Sequence, residues 1–99
     1  MKMGNITLQG LKTFSKKMNR MMLQTGARHS KFLFFVDDFG FHYIPESTQK
    51  PRTHEDHYIE RVIERFNQGG SLRPVDYSDI TVNASYLLVI IEKYINLRD

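Results

Sequence analysis

Lys31-Phe32-Leu33-Phe34-Phe35-Val36-Asp37-Asp38-Phe39-Gly40-Phe41-His42-Tyr43-Ile44 is the stretch from which the fold is read. Its first half is a run of aromatic and β-branched side chains without helical spacing, which predicts a strand. Asp37-Asp38-Phe39-Gly40 supplies turn residues, and Phe41-His42-Tyr43-Ile44 returns as a second strand, so residues 31–44 form a hairpin. Successive side chains of the first strand are apolar on both faces, which points to a position inside a sheet or between two layers. Two strands alone are marginal in water, so helices must cover the hairpin or another chain must extend it.

Working outward toward the N-terminus, Leu8, Leu11, Phe14, Met18, Met21 and Met22 fall in one sector at about 100° per residue. Lys12, Lys16, Lys17 and Arg20 fall in the opposite one. Thr7 suits an N-cap and Gly26 a left-handed stop, so the spacing predicts a basic amphipathic helix over about 7–25. Gly10 weakens its first turn by about 1 kcal/mol relative to alanine.

Toward the C-terminus, residues 45–52 hold Pro45 and Pro51 among polar side chains and read as a surface loop. Thr53 and Asp56 resemble a capping box, after which Tyr58, Ile59, Val62, Ile63 and Phe66 repeat at helical spacing up to Gly69-Gly70. A Pro74-pinned loop follows, and Asp79, Thr81 or Asn83 can cap a last helix over about 84–97. That helix is expected deepest in the core, because Leu87 to Ile91 are all apolar. The expectation is therefore an α+β fold in one small domain over 1–99, in the order helix-strand-strand-helix-helix, with an antiparallel hairpin covered by helices and the helical part at 53–97.

Composition narrows the functional classes. With no cysteine among 99 residues, disulfide scaffolds and thiolate metal sites are excluded, and a reducing, cytoplasmic setting is expected. There is no apolar run of about 18 residues and no signal-peptide h-region, so no membrane association is expected. Charge is distributed unevenly. Through Lys31 there are seven cationic side chains and no acidic one, whereas the remainder holds seven cations and eleven acids. A one-signed segment repels itself unless an anion sits against it.

Lys12, Lys16 and Arg20 stand at i, i+4 and i+8, with Lys17 beside them. Phosphates would neutralise such a row. The principal expectation is a non-enzymatic module binding nucleic acid, DNA or RNA, through Lys12, Lys16, Lys17 and Arg20, extended by Arg28, Lys31, Lys50 and Arg52. The competing account is a solvated face, or one docked on Glu55, Asp56, Glu60 and Glu64. Phe32, Phe34, Phe41 and Tyr43 have the composition of a base-stacking platform, against the commoner role of strand phenylalanines as core.

The alternative functional class is a protein-binding or inhibitory module of a mobile element or defence system, built on the Met-bearing helix and the hairpin edge, with a homodimer among the options. A binder of a small phosphorylated ligand is a third. Catalytic chemistry has thin support. His54 and His57 would share a helix face but lack a third ligand, and Asp37 and Asp38 are more simply turn residues than cation ligands. No phosphate-cradling glycine loop or nucleophile elbow is present, so no cofactor, metal or catalytic residue is assigned.

Overall fold

The computed structural model describes residues 5–26 and 29–98. The hairpin forms as the sequence indicates: β2 (Lys31–Asp37) pairs antiparallel with β3 (Gly40–Pro45), from Asp37 opposite Gly40 to Phe32 opposite Pro45. The Asp37 carboxylate closes the turn by accepting the amides of Phe39 and Gly40 at 2.9 and 3.2 Å. Two short strands extend the hairpin on either side. β1 (Met21–Gln24) pairs with β2, and β4 (Arg52–Glu55) pairs with β3, giving one antiparallel sheet in the order β1-β2-β3-β4.

Three helices complete the α+β domain: α1 (Leu8–Ser15), α2 (Asp56–Gly69) and α3 (Ala84–Arg98). Thr7 caps α1 by accepting the Gly10 amide at 3.0 Å, and α2 stops at Gly70, whose φ of 72° lets its amide return to the Phe66 carbonyl. All three helices bury their apolar faces in one core with Leu23, Phe32, Phe34, Phe41 and Tyr43 of the sheet. Paired residues share a sheet face, so register divides the strands cleanly. Phe32, Phe34, Val36, Phe41, Tyr43 and His54 face the helices, while Met22, Lys31, Leu33, Phe35, Asp37, His42, Ile44 and Thr53 face away.

The predicted helix over 7–25 is corrected by this arrangement. Helical hydrogen bonding ends at Ser15, a 3₁₀ turn covers Lys16–Met18, and Met21–Gln24 is strand. Asn19 and Arg20 make the change of direction. Arg20 takes a left-handed φ of 69°, its amide donates to the Phe34 carbonyl, and the Asn19 side-chain oxygen accepts the Val36 amide at 3.0 Å. Helix continuation would have stacked like charges with no acid to relieve them, whereas pairing with β2 supplies hydrogen bonds and buries Leu23. Gly26 therefore lies beyond β1 and ends no helix.

The predicted start of the second helix at 53 is also displaced, since Thr53 and His54 belong to β4 and Glu55 is the N-cap. The first hairpin strand is covered on one side only. Its outward positions Leu33 and Phe35 are half-buried by their neighbours rather than by a second layer.

Tyr43 organises the core. It is fully buried, its ring lies within about 6 Å of those of Phe32, Phe34, His54 and Tyr86, and its hydroxyl meets His54 Nδ1 at 2.9 Å. The other His54 ring nitrogen has no hydrogen-bond partner among the described residues. Gly40 makes this possible: at φ 147° it lies against the His54 backbone, and a Cβ there would overlap the His54 carbonyl oxygen. Gly10 is crowded more mildly, because an added Cβ would come 2.6 Å from the Tyr94 hydroxyl, the far end of a side chain. The alanine that helix propensity favours is thus opposed by packing of Tyr94 against Phe14 and α1.

Two stability outcomes follow from this core. Burial holds the His54 imidazole down at about 4 against an ordinary 6.5, so the folded state refuses a proton that the unfolded chain accepts. Stability contributed by neutral His54 is complete above pH 6.5 and is lost as pH falls toward 4, by about 3 kcal/mol in all. Urea midpoints measured from pH 7.5 to 4 should show that decline, and His54→Gln should flatten it. Gly40→Ala should cost at least about 3 kcal/mol, because it adds both strain and overlap, and chemical denaturation will measure it.

Candidate polyanion-binding edge

The eight predicted contact residues do not form one ridge. Lys12, on α1, is engaged inside the molecule: its Nζ contacts both Asp56 carboxylate oxygens at 2.9 and 3.2 Å, and the two side chains are only 20% and 36% exposed. The acidic first turn of α2 therefore neutralises the residue placed at the centre of the predicted face. Lys50 and Arg52 lie on the far side of β3 from the β1 edge. Arg52 begins β4, the edge opposite β1, where it reaches the Asn83 side-chain oxygen at 3.4 Å and lies over the Tyr86 ring. Lys50 precedes it in the exposed β3–β4 loop. Arg28 lies outside the described residues.

What remains together is a smaller group at the β1 edge. Lys16 and Lys17 sit in the 3₁₀ turn that leads to β1, and Arg20 immediately precedes the strand. All three are exposed and have no carboxylate partner among the described residues. Lys31 stands across from Gln24 at the other end of β1. Lys93 of α3 joins Lys31 there, lining a shallow cleft of about 240 Å³ with Met22, Leu23 and Gln24. Lys93 was not legible as a member of this group, because only the packing of α3 beside β1 brings it there from more than sixty positions away.

Between the cations, Met21 and Met22 are 46% and 52% exposed. No acidic side chain occurs between residues 5 and 36, so the whole arm from α1 through most of β2 lacks a carboxylate of its own. The acids lie elsewhere. Asp56, Glu60 and Glu64 are on α2, and Asp79 forms a two-point pair with Arg65 at 2.5 and 3.0 Å. The Arg65 guanidinium holds that carboxyl below its ordinary range.

The other sequence candidates resolve differently. Phe32, Phe34, Phe41 and Tyr43 are fully buried, so the base-stacking platform proposed from composition is core. His54 is buried in β4, whereas His57 is exposed on α2 against Tyr58, and the expected shared face is absent. Asp37 is turned toward His42, with 2.8 Å between Oδ2 and Nε2, and that hydrogen bond lowers its carboxyl from the ordinary value. His42 Nδ1 in turn meets the Thr53 hydroxyl at 3.1 Å.

Among the described residues, no three His, Asp or Glu side chains cluster in an arrangement that holds a metal. No described helix is long and apolar enough to cross a membrane. A cleft of about 490 Å³ lies between α3 and the β1–β2 turn, and Glu92 is the one charged residue among its described lining. A phosphorylated small molecule finds no cationic pocket there. Comparison with models of protein families, with curated proteins and with solved structures finds no match.

The Lys12–Asp56 pair separates structure from binding in a way that can be measured. Lys12→Ala and Asp56→Ala should each lower stability by about 1 kcal/mol, with a coupling of about 0.5–1 kcal/mol in a double-mutant cycle by urea denaturation. Independent, additive losses would show that the contact contributes nothing.

Proposed function

We propose that this chain is a non-enzymatic nucleic-acid-binding module whose contact surface is the β1 edge. The observation that carries the reading is the set of exposed cations Lys16, Lys17 and Arg20, on an arm that has no carboxylate of its own, with Lys31 of the same arm and Lys93 of α3 at the far end of the strand. Lys12, Lys50 and Arg52 do not belong to this surface. The first is paired with Asp56, and the other two stand toward the opposite edge of the sheet.

Contacts of this kind recognise phosphates by charge, not bases by pattern. Ammonium groups on flexible stems supply point charges without the planar fork that reads a base edge, and Arg20 alone has a guanidinium. Binding should therefore be indifferent to sequence and steeply dependent on salt. Four phosphate contacts correspond to a log–log salt slope of roughly −3 to −4.

Fluorescence anisotropy with a short duplex and a short single strand should show binding at about 50 mM salt that largely disappears by about 200 mM. Lys16→Glu/Lys17→Glu/Arg20→Glu should abolish it, while Lys12→Ala should leave it intact despite the lower stability. Undiminished binding by the triple variant would reject this surface. Absence of binding to either strand form at low salt would reject the function. A complex with a protein that survives high salt and is lost on replacing Met21 and Met22 would instead favour the protein-binding alternative.

A further inference from the structure

The sheet face turned away from the helices carries a second pattern, which shares Lys31 and Met22 with the cationic edge. Along β2 the outward positions are Lys31, Leu33, Phe35 and Asp37, in the order cation, apolar, apolar, anion. Register adds neighbours on the same face: Met22 and Ile44 flank Leu33, while His42 and then Thr53 lie beside Phe35. Every described helix packs on the opposite face, and on this one Met22 is exposed while Leu33, Phe35 and Ile44 are half-buried by their neighbours. An antiparallel sheet with one solvated face ordinarily presents polar side chains there. Here the middle of the face is an apolar band that crosses β1, β2 and β3.

We propose that this face binds a second copy of the chain, stacking sheet on sheet across a two-fold axis. The argument for that occupant is that the stripe is complementary to its own reverse. An axis lying between the two sheets, perpendicular to the strands and level with Phe34, sets Lys31 of each copy over Asp37 of the other. The same operation sets Leu33 over Phe35 and, on β3, Ile44 over His42. Both charged ends are then matched and both apolar positions are covered, as a closed isologous dimer requires. Asp37 is suited to this use, since its hydrogen bonds with His42 and the Phe39 and Gly40 amides keep it ionised and fixed in position.

The face is small. From Lys31 to Asp37 it measures about 20 Å, and the strands span about 15 Å in width, which is below the area of a standard stable interface. The dimer should therefore be weak and visible only at tens of micromolar or above.

Sedimentation velocity from about 5 to about 500 μM tests this directly, with a shift from monomer toward dimer mass expected across the range. Leu33→Asp should leave a monomer at every concentration. Asp37→Asn keeps the oxygen that accepts the turn amides but removes the charge, and it should raise the dissociation constant several-fold with an unchanged circular dichroism spectrum. Lys16→Glu/Lys17→Glu/Arg20→Glu should dimerise as the parent does, so failure of the polyanion reading and failure of this one are distinguishable. A monomer throughout the range, or a dimer indifferent to both Leu33→Asp and Asp37→Asn, overturns the proposal.

Discussion

The structure depends on how closely β3 and β4 approach at Gly40 and on what that approach encloses. With no side chain at Gly40, the His54 backbone lies against it, and the His54 ring enters the core beside Tyr43. Tyr43 then spaces Phe32, Phe34 and Tyr86 around itself, which joins the central hairpin to the first turns of α3. Aromatic rings in offset-stacked and edge contact contribute about 0.5–1.5 kcal/mol per pair beyond their buried area. The layer is therefore both the principal hydrophobic contact of the sheet and the feature that fixes its register. Within it is a neutral imidazole with one unmet nitrogen, so the same contact that orders the core exposes it to acid.

Much of the fold was legible because its signals are local. The hairpin has turn chemistry between two aromatic strands, α2 has helical periodicity up to a glycine stop, and α3 has an apolar run too long for a strand. Residues 16–25 were not legible. Met18, Met21 and Met22 satisfy the helical period, and no glycine or proline interrupts it before Gly26. Their true structure is decided by β2, whose free side offers backbone partners to Arg20 through Gln24. Tertiary pairing overrides local periodicity in such a segment, most easily where the helical alternative stacks unrelieved like charges. The short strand at Thr53 and His54 was hidden for a similar reason: residues that resemble a helix cap were recruited by the neighbouring strand.

The candidate surface was half legible. A segment without acids announces itself in the sequence, but the sequence does not say which of its cations find carboxylates in space. Asp56 lies forty-four positions from Lys12, and only the packing of α1 beside α2 brings them together. Lys50 and Arg52 could not be separated from the group without knowing that β1 and β4 are opposite edges. Lys93 could not be included without knowing where α3 runs.

Loss of Lys12 from the surface is also what positions the rest. The Asn67 side chain bonds both the amide and the carbonyl of Ile6 at 2.9 Å, Lys12 is tied to Asp56, and Phe14 lies against Tyr94. These three attachments fix α1 in the helical layer at its start, middle and end. The chain leaving α1 has then only a short 3₁₀ turn before Asn19 and Arg20 must meet the edge of β2. Lys16, Lys17 and Arg20 are thereby carried to the rim of the sheet, away from the acids of α2. One internal ion pair accordingly does two things: it neutralises a single lysine, and it helps direct three other cations to an edge where they have no carboxylate partner among the described residues.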